Sequence, residues 1–134
     1  MDIERATYFT IDTDDRPGQL ARFSKRMSEY EINLAGVWSF GTGRGNAEIV
    51  AIPRNPHAFK KMVREAGWTF KEGSCFHLIG EDRPGALADT LDLIAQEGIN
   101  LHAVDAMGFE SQYSAYVWCD ESDVEKLRKV LKGW

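Results

Sequence analysis

The stretch DDRPGQLA at residues 14–21 returns as EDRPGALA at residues 81–88. The shift is 67 positions in a chain of 134. Asp15, Arg16, Pro17, Gly18, Leu20 and Ala21 match Asp82, Arg83, Pro84, Gly85, Leu87 and Ala88. Further on, Ile32, Asn33, Leu34 and Val37 match Ile99, Asn100, Leu101 and Val104, and upstream Phe9 matches Phe76. Ten identities within residues 15–37, with no gap, mark two copies of one module. A solenoid needs at least three units, so the chain is expected to be a tandem pair.

Each copy checks the reading of the other. RATYFTID (5–12) and SCFHLIG (74–80) are rich in aromatic and β-branched residues and predict strands. Pro17 and Pro84 suit the first turn of a helix, where a missing N–H costs nothing. Leu20, Phe23, Met27 and Tyr30 then fall at helical spacing, as do Leu87, Leu91 and Ile94, and Gly98 ends the second helix. INLAGVWSF and INLHAVDAM predict the next strands. GTGRGN (41–46) resembles a phosphate cradle, but a strand follows it, so a hairpin turn is expected. AEIVAIP and SAYVWCD are the third strands. NPHAFKKMVREAG and ESDVEKLRKVLKG are amphipathic helices, the first capped by Asn55 with Pro56 behind it, the second starting at Glu121 or Ser122.

The order strand, helix, strand, strand, helix closes in copy one with WTFKEG (68–73). The expected fold class is α+β: two tandem ferredoxin-like βαββαβ units, antiparallel sheets with helices on one face. The expected domains are 1–72 and 73–134. Copy two stops at KGW, so its final strand is short or absent and its sheet edge needs a cover. A swapped strand from residues 68–73 or a second copy of the chain would serve.

Charge divides unevenly between the copies. Residues 1–67 carry ten Lys/Arg against nine Asp/Glu, about +1; residues 68–134 carry six against twelve, about −6. That disfavours a nucleic-acid partner, which wants a basic stripe. No apolar run approaches the ~20 residues of a membrane helix, and the N-terminus lacks the apolar block of a signal peptide, so a cytoplasmic protein with no membrane partner is expected. Cys75 and Cys119 form no C-x-x-C pair and are expected to be buried and reduced.

Catalytic patterns are missing. There is no G-x-S-x-G and no H-E-x-x-H, and His57, His77 and His102 are scattered. Cys75 with His77 supplies neither a metal site nor a nucleophile with an oriented base. No catalytic residue, metal or cofactor is expected. Asp12, Asp14, Asp15, Glu81 and Asp82 cluster before the helices, where charge against the helix dipole and N–H capping account for them. The loops offer more. Gly18 and Gly85 let a ligand approach the backbone, and free helix N–H groups favour a carboxylate. Asp15 or Asp82 can accept from an ammonium group. Asn33 and Asn100, expected beside the loops, add amides. Such a set suits a free α-amino acid. The alternative is that the loop is only a tight turn into the helix.

DDRPGQLARFSKRMSEYEINLAGV and EDRPGALADTLDLIAQEGINLHAV resemble the ACT domain signature, D/N-x-P-G-x-L, about eleven helical residues, then G-I-N. The resemblance covers nearly the whole chain. It implies small regulatory modules that bind amino acids or related molecules at interfaces between paired domains, usually sheet edge to sheet edge. It places the ligand on Asp15, Gly18, Gln19, Asn33 and Leu34 in copy one, and on Asp82, Pro84, Gly85, Ala86, Asn100 and Leu101 in copy two. Copy one departs at Glu31, where the family has glycine. Thr13 and Gly80 stand where some amino-acid sensors carry His. Copy two keeps the motif more fully and is expected to hold the better pocket.

The sequence therefore predicts a non-enzymatic, allosteric, amino-acid-binding homodimer. The alternative is a regulatory or assembly subunit of an amino-acid biosynthetic enzyme, with no ligand of its own. A ferredoxin-like acylphosphatase would want Arg16 in a phosphate loop with Asn33 nearby, and DRPG is too acidic and short for one.

Overall fold

A computed structural model describes residues 1–132. Six strands and four α-helices follow one another: β1 (Asp2–Asp14), α1 (Gln19–Glu29), β2 (Leu34–Gly43), β3 (Asn46–Pro53), α2 (Pro56–Glu65), β4 (Phe70–Glu81), α3 (Ala88–Gln96), β5 (Leu101–Phe109), β6 (Gln112–Cys119) and α4 (Val124–Lys132). A 3-10 turn at Glu121–Asp123 leads into α4. Gly133 and Trp134, where a sixth strand of copy two would begin, lie outside the described residues.

The chain forms two compact units. One is Thr7–Gly73; the other joins Met1–Ala6 to the chain from Ser74 onward. β1 and β4 are each shared out between them. In the first unit the strand order is β2-β3-β1-β4, with Phe70–Gly73 as the last member. In the second it is β5-β6-β4-β1, with Asp2–Ala6 in the corresponding place. Both are the ferredoxin-like order, and β2/β3, β1/β3, β5/β6 and β4/β6 pair antiparallel. The edge of copy two is thus covered by the beginning of the same chain. Neither residues 68–73 nor a second copy is needed for it. Ile3 packs against the core there, and Arg5 Nε donates to Ser74 Oγ at 3.2 Å.

Alternation along the strands directs one face inward. In the first unit Phe9 and Ile11 of β1 and Ile49 and Ala51 of β3 meet Phe23 and Met27 of α1 and Phe59, Met62 and Val63 of α2. The Phe9 and Phe59 rings lie 4.7 Å apart. In the second unit Phe76 and Leu78 of β4 and Ala115 and Val117 of β6 meet Ile94, Leu127 and Leu131. Of the expected α1 stripe, Phe23 and Met27 are buried, whereas Leu20 and Tyr30 are 44% and 41% exposed at the ends of the row.

Pro17 and Pro84 fall outside the helices they were expected to start. Gly18 (φ 92°) and Gly85 (φ 71°) take left-handed backbone, which breaks the helical run after Pro17 and Pro84. α1 starts at Gln19 and α3 only at Ala88, so Ala86 lies in a turn, with its N–H donating to the Arg83 carbonyl at 3.0 Å. The hairpin at GTGRGN forms as expected: Arg44 (φ 57°) and Gly45 (φ 77°) turn β2 into β3. Asn55 caps α2 by accepting from the Ala58 N–H at 3.1 Å.

Candidate functional site

The repeated loop is fixed in the same manner in both units. Asp15 N–H donates to the Gly45 carbonyl at 2.8 Å, and Asp82 N–H to the Ser111 carbonyl at 3.0 Å. Each loop is thereby tied to the tip of its unit's hairpin. The carboxylates then lie across a glycine of the edge strand. A Cβ at Gly41 would come within 2.7 Å of Asp15 Oδ2, and one at Gly108 within 2.8 Å of Asp82 Oδ2. Gly41 and Gly108 are also 67 positions apart, so the repeat carried a signal that would have found them. Asp15, Gly18, Asp82, Pro84 and Gly85 are exposed, and Gln19 and Ala86 are half-buried. No side chain caps α1 or α3. The helix-start N–H groups facing the loop are therefore not taken up by an aspartate.

Asn33 and Asn100 are not beside the loops of their own units. Asp14 pairs with Asn46 at the start of β3, whereas Leu34 pairs with Pro53 at its end. Seven residues of strand separate the two, roughly 23 Å. The second unit repeats this: Glu81 pairs with Gln112 and Leu101 with Cys119. The cause is α1 and α3 themselves, which carry the chain back before the next strand begins. Asn33 and Asn100 are exposed at the far end, with the Asn33 carbonyl accepting from Arg54 N–H at 3.0 Å. Leu34 and Leu101 pack against the cores. A single unit brings Asp15 with Gly18 and Gln19, or Asp82 with Gly85 and Ala86, and not the asparagine.

Gln19 has another neighbourhood that sequence reasoning missed. It lines a cleft of about 320 Å³ in the first unit, with Asp12, Thr13, Arg22, Trp68 and Thr69 at the walls and Ile11, Phe23 and Ile49 behind. Elsewhere, Asp14 and Arg16 form an exposed pair at 3.6 Å, a surface contact of little energetic weight. Cys75 is buried, and that burial pushes its thiol up to about 12, away from thiolate chemistry. His77 Nε2 lies 2.7 Å from Ser114 Oγ and its ring stacks on Tyr116 at 4.3 Å.

No family model matches the chain, and no curated protein matches it by sequence. Solved structures do resemble it. A protein from Bacteroides thetaiotaomicron superposes with a TM-score of 0.86 at 18% identity, covering 97% of this chain and 88% of that one. The ligand-free regulatory subunit of aspartate kinase from Thermus thermophilus gives 0.64 at 16% identity, over 99% and 95%. A structure of aspartokinase alpha and beta subunits gives 0.65 at 17%, over 98% and 95%. At such identities the likeness is one of fold, and the fold it supports is the ACT-like, ferredoxin-type α+β architecture.

Proposed function

We propose that this chain is a regulatory protein that binds a small molecule, an amino acid, at an interface between ACT-like units. In sequence order the units are residues 1–72 and 73–134, with the half-strands exchanged as described. The observation that carries the reading is the division of the repeated motif between the two ends of each unit. Asp15, Gly18 and Gln19, or Asp82, Pro84, Gly85 and Ala86, stand at one end, and Asn33 and Leu34, or Asn100 and Leu101, at the other. A pocket using both ends needs a second unit. Binding then favours one arrangement of units, which is the requirement for allostery. The regulatory subunits among the similar structures support a regulatory role over a catalytic one. The protein acts as a homodimer.

A thermal-shift screen of the twenty amino acids, followed by calorimetry, tests this. A ligand at 100 times its Kd adds about 2.7 kcal/mol to the folded state. Gly85→Val, which puts a branched side chain on left-handed backbone at the loop, should abolish binding. Unchanged calorimetry in that variant would remove the loop from the site.

A second reading, an assembly subunit of a biosynthetic enzyme without its own ligand, draws on the two edge strands. Val37 and Phe40 of β2, and Met107 and Phe109 of β5, are 42% to 74% exposed. Co-purification of a catalytic partner, together with an empty ligand screen, would favour it.

A further inference from the structure

We propose that the open edge of the first unit joins the open edge of the second unit in another copy of the chain, and that charge at the ends of the edge hairpins enforces this unlike pairing. The inference rests on the reading that units act in pairs, and it adds which unit meets which. β2 is the outer strand of the first unit and β5 of the second; among the described residues each has a neighbour on one side only. Both present large apolar side chains to solvent, Val37 and Phe40 on β2 and Val104, Met107 and Phe109 on β5. β2 carries no charged residue from Leu34 to Gly43. Its register is regular from Gly36 to Gly41, between irregularities at either end. A regular apolar edge without a charge pairs with another strand unless something covers it.

The choice of partner is made at the ends of the hairpins. In the first unit Arg44 stands at the turn and Arg54 just past the end of β3, where its N–H donates to the Asn33 carbonyl at 3.0 Å. In the second unit Glu110 stands at the turn and Asp120 just past the end of β6. The positions correspond: Arg44 and Glu110 hold φ of 57° and 58°, and β3 and β6 are each eight residues long. All four side chains belong to exposed residues. Among the described residues Arg44, Arg54 and Glu110 enter no ion pair, while Asp120 meets His102 at 2.6 Å. Residues 34–54 carry Arg44 and Arg54 against Glu48, a net charge of +1; residues 101–120 carry Asp105, Glu110 and Asp120, a net charge of −3. The helices repeat the exchange, since Arg22 and Lys25 of α1 become Asp89 and Asp92 of α3, all exposed. No acid in residues 7–55 becomes a base in the second unit. Glu31, against Gly98, tempers the base of the first hairpin, and Glu121, against Asn55, adds to that of the second.

Antiparallel addition of one edge to another lays the turn of each hairpin against the base of the other. Two first units would set Arg44 against Arg54 at both ends. Two second units would set Glu110 against Asp120, with Asp105 in the edge itself. A first unit against a second sets Arg44 near Asp120 and Arg54 near Glu110. Like charges facing across an interface cost binding, and opposite charges fix partner and register. The loop charges do not discriminate, because Asp14, Asp15 and Arg16 recur as Glu81, Asp82 and Arg83. The same junction completes the divided motif from unlike units. The Asp82 and Gly85 loop of one copy meets Asn33 and Leu34 of the other, and the Asp15 and Gly18 loop meets Asn100 and Leu101.

Sedimentation of the full chain, with no amino acid added, tests the rule. The wild-type chain should form dimers that weaken as salt rises. Arg44→Glu with Arg54→Glu should weaken self-association by about tenfold or more, and so should Glu110→Arg with Asp120→Arg. The second variant moves the net charge from −5 to −1, each exchange adding two, so its loss does not come from overall repulsion. Mixing the two variants, or combining all four exchanges in one chain, should restore the dimer. Hydrogen exchange should show residues 34–43 and 101–109 better protected in the wild-type dimer than in either variant. A wild-type chain that stays monomeric would overturn the proposal. So would four exchanges that fail to restore association, or edges no better protected in the dimer. Unchanged association in both variants would do the same, since that is what pairing of like units gives. A dimer that follows the charge rule beside an empty amino-acid screen would remove the ligand and keep the pairing.

Discussion

Cys75 and His77 stand two residues apart on β4, and burial moves both toward their neutral forms. The Cys75 thiol is pushed up to about 12, so it should react slowly with a thiol reagent until the protein unfolds. For His77, burial lowers the pKa below the ordinary 6.5, and the nearby Glu4 carboxylate opposes this more weakly. The unfolded chain therefore takes up a proton first as the pH falls. Stability at this position is full above the ordinary histidine value and declines below it, down through the folded pKa. Denaturation at pH 7.5 and 5.5 should show the loss, and His77→Gln should reduce it. An NMR titration should place His77 below 6.5, and Glu4→Gln should lower it further. A value at or above 6.5 would contradict the assigned cause. None of this was legible in the sequence, which showed only that Cys75 and His77 share a strand face. Asp15 and Asp82 were legible as loop residues because the phrase repeats. Their seat over Gly41 and Gly108 was less so, since a strand glycine has several uses.

At the level of elements, the repeat also exposes where one copy is less well built. α3 ends at Gly98, with φ 72°, and its N–H reaches the Ala95 carbonyl at 2.9 Å. α1 ends at the matching position with Glu31, held at φ 55°. A side chain on left-handed backbone costs about 1–2 kcal/mol, which glycine escapes. Part of that gain is offset because glycine makes the unfolded chain freer. Glu31→Gly should therefore stabilise the protein by about 0.5–1 kcal/mol, read as a shifted denaturation midpoint at constant slope. Gly98→Glu should destabilise it by a similar amount. A neutral Glu31→Gly would mean that Glu31 makes a favourable contact offsetting its backbone. The sequence placed every helix and strand core, because amphipathic spacing and β-branched runs are local signals. It placed the start of α2 at Asn55 and Pro56 correctly but misplaced the starts of α1 and α3, because Pro17 and Pro84 read as helical first-turn residues while Gly18 and Gly85 in fact interrupt the chain.

At the level of the molecule, what the sequence hid was strand partnership. The shift of 67 lays Ile3–Ala6 on Phe70–Gly73, so both long strands have the same two-part construction. Strand propensity carries no record of which neighbour a segment will pair with, and residues 2–6 meet residues 74–81 across most of the chain. The consequence can be tested by removing residues 2–6. The second unit then loses Ile3 from its core, about 1.5–3 kcal/mol for a fully buried side chain and less for this half-buried one. It also loses the Arg5 contacts with Ser74 and Glu125, which are solvent-exposed and of small weight. More important, the row of β4 backbone groups from Ser74 onward loses its partner and becomes an open edge. Hydrogen exchange should show lost protection along residues 74–78, while Phe9, Ile49 and Ala51 in the first unit stay protected. Light scattering should show association that rises with concentration as open edges find one another. A peptide of residues 1–6 added in excess should restore the exchange pattern. If the shortened chain kept its protection at 74–78 without association, the first six residues would be dispensable, and the second unit would be stable with three strands.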